Sequence, residues 1–223
     1  MGRTVTILVI VAIIIVAGAV LYWTSEAKPP SEPRMTKKEN SDWQRLWDLR
    51  LAELRKDFGP ENDHVLTAMP PFYLGGAADV LTFQKKLPGV TYVTAAIIGD
   101  NQAKPNSLGQ YELMICQRKD ATWAPKLISQ LARYTTQDIL SPNDTMEIGP
   151  SLPQPTELSS LLFLPYVKLN VNGKDAAVML CIGITPDELE FIQKHDVEDL
   201  VSKLKSAGVY PFTDLDRKSV LKK

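Results

Sequence analysis

The residues whose types and spacing most invite a chemical role lie in positions 183–196, GITPDELEFIQKHD, directly after an apolar run. Thr185, Pro186 and Glu188 have the spacing of a capping box with proline at the first helical position. A helix start needs these residue types to bind its free backbone N–H groups, without any reaction. His195 has the chemistry of a general base, but it falls near the end of the same helix, where an imidazole can contact free carbonyls. The stretch therefore indicates a structural role, the start and end of a helix, in preference to a catalytic one.

Glu112 is the second candidate for acid–base chemistry, because it lies in a predicted strand, YELMICQR, where we expect a half-buried carboxylate with a perturbed pKa. Glu112 and His195 would form a site only if they faced one cleft.

Cys116 and Cys181 lie among apolar residues, which favours buried free thiols; a disulfide between two strands is the alternative. The two cysteines with His64 and His195 lack the spacing of a zinc site, so no metal is predicted.

Motifs of well-known catalytic and cofactor sites are absent from the sequence. It contains no G-x-S-x-G, P-loop, H-E-x-x-H, dinucleotide fingerprint or EF-hand loop. Lys+Arg 25 nearly balance Asp+Glu 26, for a net charge of −1, so nothing indicates the basic surface that nucleic acids require. We expect no catalytic residues, no cofactor and no nucleic-acid partner.

The clearest functional signal is the first apolar segment, residues 5–23, VTILVIVAIIIVAGAVLYW, which carries no charge and ends in Tyr22 and Trp23. A helix of this length spans the hydrocarbon of a bilayer, and aromatic residues suit its interface. We predict a single-pass transmembrane anchor within residues 1–24. A cleaved signal peptide is the alternative, because Ala17 and Ala19 form an A-x-A pattern, although the apolar run is longer than the core of most signal peptides.

Positive charges around this segment predict its orientation. Only Arg3 precedes the segment, and four positive residues follow it, Lys28, Arg34, Lys37 and Lys38. The positive-inside rule therefore favours a cytoplasmic location for the C-terminal domain. Residues 25–40 are proline-rich and charged, which predicts a flexible linker.

The remaining residues, 41–223, have the pattern of one folded domain. A tryptophan-containing apolar stripe predicts a first helix that begins at a capping box of Ser41 and Gln44 and buries Trp43 and Trp47 in the core. A second helix is predicted over residues 124–140, a third after Thr185, and a last one that stops at Gly208.

Five strands are predicted, in residues 78–84, 90–98, 111–118, 161–171 and 176–183. The second is apolar on both faces and should be central. The fourth contains Pro165 and should lie at an edge or bulge there. The tail should dock through Tyr210, Phe212 and Val220. This order predicts an α/β or α+β fold, a single mixed sheet with helices packed on it.

Five blocks in this order carry a family resemblance, over residues 90–220: GQYELMICQRKDATW, LISQLARYT, LLFLPYVKL, LCIGITPDELEFIQKH and GVYPFTDLDRKSV. Together they resemble the bacterial branch of the Suppressor of fused domain family. The resemblance implies a compact α/β domain that binds proteins and has no known catalytic residues. It also implies a relation to a larger animal protein that grips a transcription-factor peptide as an added β-strand, and to bacterial relatives proposed as immunity proteins against toxins.

We therefore expect a membrane-anchored, non-catalytic protein-binding module, with a toxin as the partner if the immunity role applies. No peptide-gripping residues are transferred, because the animal groove depends on a second lobe for which this chain has no room. An enzyme with an unrecognised site around Glu112 and His195, and a scaffold subunit of a membrane complex, are the alternatives.

Overall fold

The computed structural model describes residues 37–68 and 74–222. The chain divides into two units, Met1–Ser41 and Asp42–Lys223, and of the first unit only residues 37–41 are described. Within the described ranges, no helix has both the length and the apolar character needed to cross a bilayer. The predicted anchor, residues 1–24, and the linker up to residue 36 lie outside the described residues.

The described part of the chain contains helices, strands and one short 3-10 helix, Gly149–Ser151. The helices are α1 (Lys37–Phe58), α2 (Trp123–Tyr134), α3 (Pro186–Ile192) and α4 (Val197–Ser206). The strands are β1 (Val80–Phe83), β2 (Val90–Thr94), β3 (Gln110–Gln117), β4 (Thr145–Glu147), β5 (Ser160–Val171) and β6 (Lys174–Ile184).

One mixed sheet of six strands, in the order β1-β2-β3-β6-β5-β4, organises the domain. β3 and β6 run parallel, and every other neighbouring pair is antiparallel. The predicted single mixed sheet with helices packed on it is thus confirmed. β2 is flanked on both sides and fully buried, as predicted, but it ends at Thr94. It stops short of residue 98 because the N–H groups of Ile97 and Ile98 donate to a carboxylate, that of Glu112, and not to a strand.

The two faces of the sheet carry separate apolar clusters, so the domain has three layers. Leu127 and Ile128 of α2 pack on the face that holds Tyr111 of β3. Leu54 of α1 and Leu200 of α4 pack with the residues of the opposite face. Successive side chains of a strand point to opposite faces of the sheet, so each central strand contributes residues to both clusters. The central strands are therefore apolar on both faces.

Helix α1 differs from its prediction at the N-terminal end. It already includes Lys37, so Ser41 lies inside the helix and the predicted capping box is wrong. The amide of Gln44 instead donates to Asp48 one turn later, at 2.9 Å. Trp43 is 47 % exposed and stacks on Trp47 at 5.5 Å, so its predicted place in the core is also wrong.

Helix α3 begins as predicted, with Thr185 as its N-cap and Glu188 closing the capping box. The N–H of Thr185 donates to Glu188 Oε2 at 3.0 Å. Glu188 has a second role that its spacing did not reveal, because it is fully buried and accepts from both terminal nitrogens of Arg217, with Nη1 at 2.7 Å. The N–H of Val220 also donates to Glu188, at 2.9 Å.

The C-terminal tail fills the place where the parallel strands separate. Pairing of β3 with β6 ends at Met114 and Leu180. Beyond that point the N–H of Thr213 donates to the carbonyl of Cys116 at 2.9 Å, and the hydroxyl of Thr213 accepts from the N–H of Gly183 at 2.9 Å. Phe212 is buried beside them, which confirms that the tail docks on the domain.

Replacing the buried carboxylate should test how strongly the tail is held. Glu188→Gln leaves the guanidinium of Arg217 buried without a countercharge, and breaking one partner of a buried pair costs about 3–5 kcal/mol. We expect a clearly lower urea midpoint of unfolding. Glu190→Gln is the matched control on the same helix; its ion pair with Lys194 is exposed, so the midpoint should barely move. Equal midpoints for the two variants would contradict the buried pair.

Candidate functional site

Glu112 is a structural carboxylate in the centre of the α1 face. It has no exposed surface and accepts from the hydroxyl of Thr94 at 2.6 Å and from the N–H groups of Ile97 and Ile98 at 3.1 and 2.9 Å. Arg50 Nη1 lies 3.6 Å from the carboxylate and donates to the carbonyl of Ile98 at 2.7 Å. Burial lowers the pKa of Arg50, and the charge of Glu112 opposes that shift. The expected half-buried position of Glu112 is therefore wrong.

His195 lies elsewhere, on the surface just after α3. Its imidazole is exposed and packs against Phe191, with ring centroids 4.2 Å apart. It lines a surface depression together with Asp199 and Lys203. Because Glu112 has no exposed surface, no cleft contains both residues. The structure does not form the acid–base site that these two residues would need.

Within the described residues, the cysteines and histidines form neither a disulfide nor a metal site. Cys116 and Cys181 are free and buried, as predicted. His64 is exposed and far from a ligand set, since the described residues contain no group of three His, Cys, Asp or Glu side chains that could hold a metal ion. Burial raises the pKa of Cys116 to about 12, and the hydrogen bond between Cys116 and Thr91 opposes the shift; burial also raises the pKa of Cys181.

Both thiols should therefore react slowly in the folded protein. Burial favours the neutral thiol and raises the pKa of both cysteines, that of Cys116 to about 12, so the reactive thiolate stays scarce at neutral and mildly alkaline pH. A thiol reagent such as dithiobis-nitrobenzoate should label the native protein slowly from pH 7 to pH 9 and both sites rapidly in denaturant. Fast labelling of either cysteine before unfolding would contradict the buried position of that thiol.

The two outer edges of the sheet carry backbone groups that a partner could bind. The outer edge of β1 is covered by residues 61–66. The N–H of Asn62 donates to Thr82 at 2.8 Å, and Leu66 exchanges both backbone bonds with Val80 at 2.9 Å. This edge offers an incoming segment no free donors or acceptors at those positions.

The opposite edge is only partly covered. β4, which the sequence did not predict, has three residues and pairs with residues 160–162 of β5. The N–H of Phe163 still donates outward, to the carbonyl of Asp144 at 2.9 Å. Among the described residues, no segment pairs with the outer side of β5 from residue 164 to residue 171. This part of β5 is called the open edge below.

The hairpin between β5 and β6 fixes which groups of the open edge point outward. Asn172 and Gly173, with φ of 55° and 76°, form a two-residue turn with two positive φ angles, so Val171 and Lys174 are a hydrogen-bonded pair. Pairs alternate along an antiparallel ladder, which turns the N–H and C=O groups of Asn170 and Lys168 away from β6. Both side chains are exposed.

Pro165 closes the other end of this window. It stands two residues after Phe163, in a position whose N–H would point outward, and proline has none. The register then shifts between Pro165 and Val167, the bulge that Pro165 predicted. Tyr166 at the bulge stacks on Phe58 of α1 at 6.0 Å. The open edge thus presents two residues with both backbone groups free.

Fold and site together define a three-layer mixed-sheet domain in which the buried carboxylates Glu112 and Glu188 are paired and β5 has an open stretch of edge. The chain belongs to the Suppressor of fused protein (SUFU) family, whose sequence model matches residues 77–218. This confirms the membership that the five blocks predicted. Among curated proteins, no sequence match was found.

Solved structures with the same fold include a crystal structure described as a SUFU homologue from Neisseria gonorrhoeae FA 1090. It has a TM-score of 0.56 at 19 % identity, covering 81 % of this chain and 99 % of that one. The Sufu–Fu complex aligns with a TM-score of 0.58 at 15 % identity, covering 80 % and 91 %. Drosophila Suppressor of Fused aligns with a TM-score of 0.55 at 15 % identity, covering 80 % of this chain and 51 % of the fly protein.

Proposed function

We propose that this protein is a non-catalytic binding module that takes up an extended segment of a protein partner on the open edge of β5. The observation that carries the proposal is the pair of outward-facing backbone positions, Lys168 and Asn170, which no described residue pairs. An added strand satisfies such groups with its own N–H and C=O groups. The structure of a relative in a complex, Sufu with Fu, supports a protein as the partner.

The interior also favours binding over catalysis. Glu112, the carboxylate that the sequence offered for acid–base work, is fully buried, and so is Glu188 of the capping box; each accepts from backbone N–H groups and is paired with a guanidinium. A carboxylate in that position cannot reach a substrate.

Two residues with free backbone groups give four hydrogen bonds at most, each worth about 0.5–1.5 kcal/mol. Side-chain contacts must supply the rest of the affinity, because association itself is costly.

A proline on the open edge should abolish partner capture. Asn170→Pro removes the outward N–H and places a ring where the added strand would lie, while the bonds of β5 to β6 remain. The full-length protein would be crosslinked in membranes of its host and captured proteins quantified by mass spectrometry. Proteins that depend on the open edge should be lost with Asn170→Pro.

Two variants control this experiment. Asn170→Thr keeps the N–H and should retain the captured proteins. Thr145→Pro places proline at an outward position of β4, the other exposed strand, and should also retain them. Each variant should melt at the temperature of the wild-type protein. Undiminished capture by a folded Asn170→Pro variant would rule out strand addition.

The proposal extends to the location of the module. Residues 1–24 would anchor the protein in the membrane by a single pass, residues after them would tether it, and the domain would face the cytoplasm, in line with the positive charges that follow the apolar run. A tethered binding module suits an immunity protein, because confinement raises its concentration where a toxin would arrive.

The anchor can be tested on the native protein. An uncleaved segment leaves an N-terminal peptide that precedes residue 20, and an integral protein stays in the pellet after carbonate extraction. We expect both results. A mature N-terminus at residue 20 or later, found by mass spectrometry, would show instead that the apolar run is a signal peptide.

A further inference from the structure

We propose that the open edge selects a segment with two features: an acidic side chain opposite Lys168, and an apolar side chain, on the other face of the segment, that enters the cavity beside Pro165. The inference rests on the proposed strand addition and adds the chemistry of the partner. Each feature follows from a separate observation about the surroundings of β5.

The acidic feature follows from Lys168. It is exposed, it is the only charged residue of β5, and no carboxylate of the described residues lies within 4.0 Å of its ammonium group. Asp175 lines the same small cavity but forms no ion pair with it. Residues directly opposite in a sheet interact, and opposite charges are favoured there. An acidic residue of the added strand would supply the countercharge that the domain does not.

The apolar feature follows from a cavity of about 260 Å³ between the bulge and α4. Leu164 and Pro165 line it from the strand, and Val197, Val201 and Tyr210 line it from α4 and the tail. Its remaining lining residues are polar: Asn143, Glu198, Ser202 and Lys205. Its volume is below that of a typical small-molecule pocket and suits one side chain. The cavity lies next to the point where β4 ceases to cover the outer side of β5. A strand added along the open edge would therefore pass the opening of the cavity.

The two features must lie on opposite faces of the incoming segment. Leu164 and Leu169 belong to the cluster on the α1 face. Lys168 precedes Leu169 in the strand, so its side chain points to the other face. Side chains of an extended segment alternate between faces, so the acidic and the apolar residue should be separated by an odd number of positions.

A second copy of this chain fits the edge poorly. Antiparallel pairing of two open edges brings two Lys168 side chains onto the same face within a few residues, and like charges destabilise a sheet pair. Proline and a bulge at Pro165 also blunt the edge against continuous pairing. The occupant that the charges favour is therefore an acidic and apolar segment of another protein.

A random library of displayed octapeptides, selected on the full-length protein in detergent, tests the inference. Bound peptides should be enriched in one acidic and one large apolar residue at an odd separation. Their affinity should fall about tenfold with Lys168→Glu and much less with Lys174→Glu, a charge reversal on the neighbouring strand. Val201→Phe, which fills the cavity, should weaken peptides with the apolar residue and spare those in which it is replaced by serine.

The outcomes separate this inference from the proposed function. In one outcome, peptides lose binding with Asn170→Pro but are not enriched in the two residue types and bind Lys168→Glu as tightly as the wild-type protein. That outcome would overturn the proposed selectivity and leave strand addition in place. Peptides bound equally by Asn170→Pro, or no peptides above background, would overturn strand addition itself. All variants should keep the wild-type melting temperature, and a variant that does not is replaced by Lys168→Gln or Val201→Leu, with the same direction expected.

Discussion

The buried ion pair between Glu188 and Arg217 is the interaction on which the centre of this domain depends. The central strands β3 and β6 are parallel, so they are not joined by a hairpin, and they separate where their pairing ends. The tail enters that gap and satisfies backbone groups of both strands through Thr213. Arg217 then ties the tail to Glu188 and to the carbonyl of Gly183, at 2.7 Å from Nη2. Three of the five sequence blocks that carry the family resemblance meet at this point.

A second buried ion pair, between Glu112 and Arg50, has the same arrangement elsewhere in the domain. Glu112 holds the chain that leaves β2 and pairs with Arg50 of α1. In both cases, backbone N–H groups and a guanidinium share one carboxylate, because a buried charge is tolerated only when it is paired and hydrogen-bonded. The acidic residues of the interior are thereby committed to architecture. What remains free for a partner lies on the perimeter, in backbone groups and in exposed charges such as Lys168.

Local patterns explain what the sequence could predict here. β3 and β6 are long apolar runs with turn residues at their ends, and α3 has a complete capping box, so each was found. β4 was missed because its three residues, TME, carry no alternation. Glu188 and Arg217 are 29 positions apart, and no local signal pairs two charges at that distance. Pro165 did predict the bulge, but the open edge depends on where β4 stops, which only the assembled sheet decides.

The same residues that protect the open edge also limit what it can bind. Pro165, the bulge and Lys168 prevent the long, continuous pairing that leads to aggregation. They leave a window of two residues, whose backbone bonds alone support only weak association. A weak site becomes effective when its partner is concentrated near it, and a tether to a membrane provides that concentration without any new contact. The small window and the proposed anchor would therefore be complementary: the window would supply selectivity, and confinement to a membrane surface would supply the occupancy that the window cannot reach alone.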